Sequence, residues 1–145
     1  MFVVDTNLLL YAAIEDFAEH PRCRQLLEAW RQDPLPWHIG WTTAYEFLRV
    51  STHPSVFENP WSLADAWRFL EAATDAPGFS FLLPTDRHGE VVREIIGLVP
   101  QLKGNIVHDL HLAALMREHG IQEIRTADTD FHAFPFLRVV NPLHD

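Results

Sequence analysis

Four short runs punctuate the chain: FVVD at 2–5, FSFLL at 79–83, EIRT at 123–126 and LRVV at 137–140. Each is too brief for a helix and reads as a short, buried strand. A fifth stretch, WHIGW at 37–41, is expected to add an edge strand. Between these runs the apolar residues recur at helical spacing, which predicts helices over 7–14, 21–32, 43–52, 62–74, 86–99 and 105–119. Strands that alternate with long helices imply the α/β class: a mostly parallel central sheet of four to five short strands, with helices on both faces. No repeat, low-complexity tract or Gly/Ser linker interrupts the pattern, so one domain is expected over 1–145.

Composition narrows the picture. At 145 residues and 48% hydrophobic content, the chain can enclose one real core. The apolar start, MFVVDTNLLLYAAI, is interrupted by Asp5 and Asn7 and has no basic residue ahead of it, unlike a signal peptide. No later stretch reaches the roughly 18 apolar residues of a membrane span. The expectation is a soluble, cytoplasmic protein without membrane contact, and the lone Cys23, which has no partner for an internal disulfide, agrees with a reducing compartment. The formal net charge is −9, with Lys103 the only lysine beside ten arginines. This balance excludes broad electrostatic adhesion to nucleic acid; if such a polymer is the substrate, something other than net charge must hold it.

The acidic residues carry the candidate chemistry. Asp5 ends the first predicted strand, where open α/β sheets bind ligands, although an Asp there can also simply cap the next helix. Glu46 sits in apolar company within WTTAYEFLRV, where Thr43-x-x-Glu46 has the form of a capping box. Asp109 lies in the first turns of a mostly apolar helix, in one stripe with Asn105 and Ala113, where Asn105 is a plausible cap and Gly120 a stop signal. Asp128 and Asp130 follow the EIRT strand within TADTDF and also suit ordinary turn chemistry. Taken together, these positions are compatible with one edge of one sheet. Such a cluster of like charges raises its own pKa values and becomes favourable when hard divalent cations occupy it. His108 and His111, an i, i+3 pair, and His20 with Cys23 lack the further ligands of a zinc site, so zinc is set aside.

With these motifs in hand, the sequence resembles the PIN-domain nucleases, and among them the VapC-type toxins of toxin–antitoxin modules. The resemblance rests on VVDTNLLLYA, TTAYEFLRV, VHDLHLAAL, TADTDF and the closing LRVVNP, in order and in register. It implies a PIN-like three-layer sandwich and a metal-dependent endoribonuclease. It places Asp5, Glu46, Asp109 and Asp128 on the family's acidic residues, which hold Mg²⁺ or Mn²⁺, with Asp5, Asp109 and Asp128 as the metal ligands. Asn7, Thr126 and Asp130 fall on supporting positions. The resemblance also implies an RNA substrate, a cognate VapB-like antitoxin and a homodimer. Two stretches depart from the pattern: residues 30–41, rich in Pro and Trp, and HPSVFENPWS at 53–62, so substrate choice is not carried over. Arg49, one turn beyond Glu46, is a candidate phosphate contact or an ion-pair partner of Glu46.

Two other functions fit less well. A PIN-like RNA- or protein-binding module without catalysis has no need of the full set of acids. A phosphoryl-transfer receiver needs a lysine at a strand end, whereas Lys103 precedes a predicted helix.

Overall fold

The computed structural model describes residues 1–144, so the final position of the expected 1–145 domain, Asp145, lies outside the described residues. Strands β1 (Phe2–Val4), β2 (Trp37–Gly40), β3 (Phe79–Leu82), β4 (Glu123–Arg125) and β5 (Arg138–Val140) form one sheet in the order β3-β2-β1-β4-β5. Every pairing is parallel. The helices are α1 (Thr6–Ala13), α2 (His20–Gln32), α3 (Trp41–Ser51), α4 (Leu63–Thr74), α5 (His88–Leu98) and α6 (Ile106–Glu118), followed by a short 3₁₀ turn, Asp130–Ala133. Each matches a predicted helix to within two residues at either end.

Side-chain alternation along β1 divides the core. Phe2 and Val4 join Leu9, Trp37, Phe47 and Leu70 on the α1 to α4 side, whereas Val3 joins Ile95, Leu115 and Phe131 on the α5 to α6 side. This is the three-layer sandwich expected for a parallel sheet covered on both faces. One strand expectation needs correction. WHIG is not an edge strand: β2 lies between β1 and β3, and all four of its residues are buried. The physical reason is that Trp37 is fully buried on the Trp30 side of the sheet only because Phe2 of β1 and Phe79 of β3 flank it as its strand partners on either side. Gly120, in the left-handed region at φ +69°, ends α6 as its position in the sequence suggests.

Candidate active site

The strand order reverses at β1. The chain runs outward through β2 to β3 on one side, then returns to build β4 and β5 on the other. A crevice opens at such a reversal beyond the carboxyl ends of the flanking strands, because the loops that follow them lead to opposite faces. Asp5 follows β1, and Thr126 follows β4, so both stand at this crevice.

A hydrogen-bond net fixes them. One Asp5 oxygen accepts the backbone N–H of Thr6 at 2.8 Å, and the other accepts the hydroxyl of Thr126 at 2.8 Å and the amide of Asn7 at 3.4 Å. Asn7 also donates to the Thr126 hydroxyl at 3.1 Å, and its carbonyl accepts the N–H of Ala127 at 3.2 Å. The start of α1 is thereby tied to the end of β4 through fully buried Thr126. Asp5 is thus both a helix cap and a crevice carboxylate, and the two readings of it do not compete.

Glu46 reaches the same place from α3, accepting the buried Thr6 hydroxyl at 3.3 Å. The capping-box reading of Thr43-x-x-Glu46 is overturned: α3 begins at Trp41 with Gly40 as its cap, and Thr43 is buried within the first turn. Nor is Glu46 in core-like company, for its side chain is exposed on the crevice side of the helix. Thr6 is the residue that sequence reasoning missed as more than a helix start; its place between Asp5 and Asn7 was the available signal. Asn105 stands at the cap position of α6, but its side chain makes no capping bond.

Asp109 faces this cluster from the other layer, with Ala113 fully buried one turn beyond it. Burial pushes its carboxyl up to about 7, with Asp5, Asp130, Asp128 and Glu46 adding repulsion in that order. Burial likewise raises Asp5 to about 6, with Glu46 and Asp128 contributing, while the bonds from Thr126 and Thr6 pull it down. Asp109 therefore feels the charge of all four other acids, and Asp5 that of Glu46 and Asp128. None of them takes part in an ion pair among the described residues. The set suits a hard divalent cation: its donors are all oxygens, and its charge is uncompensated. Among the described residues, no three His, Cys, Asp or Glu side chains already converge closely enough to enclose an ion, so the acids would have to close on one by side-chain rotation.

The turn after β4 sets Asp128 and Asp130 apart. An extended chain through Ala127 would point Thr126, Asp128 and Asp130 the same way, but the strand stops at Arg125 and a 3₁₀ turn starts at Asp130. Asp128 folds back on this turn, accepting the N–H groups of Thr129 at 2.6 Å and Asp130 at 3.3 Å. Phe131, fully buried, anchors the turn in the core. Asp128 repels both Asp5 and Asp109, whereas Asp130 acts on Asp109 alone, and there more strongly than Asp128. We therefore expect Asp128→Asn to lose more ribonuclease activity than Asp130→Asn, and raised Mn²⁺ to rescue the second variant better. Rates measured across a Mn²⁺ series check this; equal, unrescued losses would make both acids direct ligands.

Arg49 is exposed, and the ion pair considered with Glu46 is not formed. His108 and His111 do not act as a pair: His108 is exposed, while His111 lies beside His88 and Thr42.

Comparison with known proteins bears on this site. The PIN domain family pattern matches residues 2–137. Ribonuclease VapC43 of Mycobacterium tuberculosis is 36% identical, over 99% of this chain and 96% of its own. Ribonuclease VapC33 of the same organism is 34% identical, over the whole of both chains. Among solved structures, Mycobacterium tuberculosis VapC20, described as a toxin that cleaves the sarcin–ricin loop, superposes with a TM-score of 0.65 at 18% identity, covering 92% of this chain and 94% of its own. VapBC2 of Rickettsia felis, solved with a fragment of its promoter DNA, gives 0.65 at 15% identity over 97% of both chains. At such identities the structures speak for the fold alone.

Proposed function

Because the chain belongs to the PIN-domain family, with VapC ribonucleases among its relatives, we propose that it is a VapC-like endoribonuclease toxin that hydrolyses RNA phosphodiester bonds at the crevice between β1 and β4. The observation that carries this reading is the uncompensated set of acids there, Asp5, Glu46, Asp109, Asp128 and Asp130, brought together from three layers of the fold. A non-catalytic module has no use for so repulsive a group.

Asp5, Asp109 and Asp128 would hold Mg²⁺ or Mn²⁺. The cation, when bound, supplies charge to polarise a phosphoryl oxygen and to lower the pKa of a water. The residues do the rest. Thr126 and Asn7 fix the Asp5 carboxylate in one orientation before substrate arrives, so the rotation that closes the site on a cation falls to the other acids. Glu46, whose carboxylate accepts the Thr6 hydroxyl, would accept a proton from the attacking water at its carboxylate oxygen. No protein nucleophile is required: water would attack phosphorus as the bond to the leaving ribose oxygen breaks, and that oxygen would take its proton from solvent. Arg49, which makes no ion pair among the described residues, would offer a cation to a neighbouring phosphate and help a chain of net charge −9 to receive RNA.

The setting follows the same reading. The neighbouring folds include toxin–antitoxin complexes, which supports a VapB-like antitoxin that masks the acidic crevice. A homodimer and a cytoplasmic site of action complete the proposal; among the described residues no helix is long and apolar enough to cross a membrane. The test is cleavage of single-stranded and structured RNA by purified protein. Activity should require Mg²⁺ or Mn²⁺, stop in EDTA and vanish in Asp5→Asn purified in parallel. Cleavage that persists in EDTA would contradict the reading.

A further inference from the structure

Resting on the ribonuclease reading, we infer that one stripe of α3, Trp41, Tyr45 and Arg49, is the docking track for an unpaired RNA segment, with bases stacked on the two rings and a phosphate paired with the guanidinium. The three residues are spaced i, i+4, i+8 and so share one helix face. Trp41 is 39% exposed and Tyr45 68% exposed, adjacent large rings that the fold leaves uncovered. Trp41 is nonetheless held in place. It lies flat on Phe81, with ring centroids 3.9 Å apart and planes 4° from parallel, so a base would stack on its opposite face. The Tyr45 ring stands 6.5 Å away, tilted by 47°. Arg49 extends the stripe by a turn and has no ion pair among the described residues.

Position and charge select the occupant. Glu46 follows Tyr45 directly, and Thr42, next to Trp41, contacts His111 on α6, the helix that carries Asp109. The stripe is therefore continuous with the acidic crevice, while being neutral and then cationic on a chain whose net charge is −9. A polyanion brought to the crevice meets least repulsion along this face. Bases offer their flat faces to aromatic rings when unpaired, whereas those of a duplex are already stacked on each other.

The probe is a short fluorescein-labelled RNA of mixed sequence, single-stranded or as its full duplex, read by anisotropy against Asp109→Asn protein so that the label survives. Adding Trp41→Ala and Tyr45→Ala should weaken single-strand binding by about tenfold for each ring lost. Trp41→Phe with Tyr45→Phe should retain most of it. Arg49→Gln should lower the slope of log affinity against log salt by about 0.7. In the Asp109-intact enzyme the alanine pair should raise KM and leave kcat within about twofold, as expected for residues that position substrate without touching the reacting bond. Unchanged binding by the alanine pair, loss in the phenylalanine pair, or preference for duplex would overturn the inference. So would a shift from dimer to monomer in sedimentation, which would assign the stripe to a second copy of the chain. A wild-type protein that binds RNA through this stripe but never cuts it would sink the ribonuclease reading alone, whereas cutting without dependence on the stripe would sink only this one.

Discussion

Asp109→Asn is expected to abolish RNA cleavage, by about a thousandfold or more, while the protein still folds. Asparagine keeps the volume but removes the charge that would bind a cation, and the Lewis-acid contribution of a bound cation amounts to several kcal/mol. At about 1.4 kcal/mol per tenfold, that corresponds to three decades or more in rate. Folding should survive because the neighbours of Asp109 supply repulsion rather than support: burial and four other acids push its carboxyl up to about 7. The check is single-turnover cleavage in saturating Mn²⁺, with circular dichroism on the same preparation. A variant that cuts RNA at the wild-type rate would remove Asp109 from the reaction.

The second large effect is on stability. Mg²⁺ or Mn²⁺ that binds the folded crevice and not the unfolded chain should raise the melting temperature by linkage; at a hundred times Kd the expected gain is about 2.7 kcal/mol, or roughly 5–10 °C for a domain of this size. In chelator the acids destabilise the fold, with a definite pH dependence. The carboxyls of Asp5 and Asp109 rise from 3.8 to about 6 and about 7, so the folded state holds protons that the unfolded chain has released. Their contribution to stability is present in full below about pH 4 and is lost as pH rises towards 7. Asp109→Asn lacks one of these groups. It should therefore melt at or above wild type in EDTA, by a margin that widens as pH rises through this window. Differential scanning fluorimetry across pH, with and without cation, measures both effects, and a wild-type curve indifferent to millimolar Mg²⁺ and Mn²⁺ would argue that the acids are caps and turns only.

Much of the arrangement around Asp5 and Thr126 is legible in the sequence. The runs around Phe2–Val4 and Glu123–Arg125 are short, apolar and followed at once by acids, and a parallel sheet brings such strand ends to one edge. What escaped notice depended on distant partners. The interior place of β2 is decided by which strands flank Trp37, and local composition does not encode that order. Thr43-x-x-Glu46 matched a capping box only while α3 was taken to start near Thr43; a start at Trp41 turns Thr43 inward and frees Glu46 to meet Thr6 across the crevice. The relation of Asp128 to Asp130 hangs on where β4 stops, because a chain kept extended through Thr129 would set both side chains on one face. Thr126 stood among the supporting positions that the resemblance implies, whereas its hydrogen bonds to Asp5 and Asn7 emerge only when β1 and β4 are neighbours.

The central claim is that the carboxylates between β1 and β4 form a single cation-dependent centre. The most direct measurement is Mn²⁺ binding followed by electron paramagnetic resonance of the free ion, in wild type, Asp5→Asn and Asp109→Asn without RNA. The prediction is saturable binding by wild type that is lost or weakened at least tenfold in both variants, with Mg²⁺ competing for the same ion-binding capacity. Mn²⁺ binding of equal strength in all three proteins would place the cation elsewhere and contradict the account.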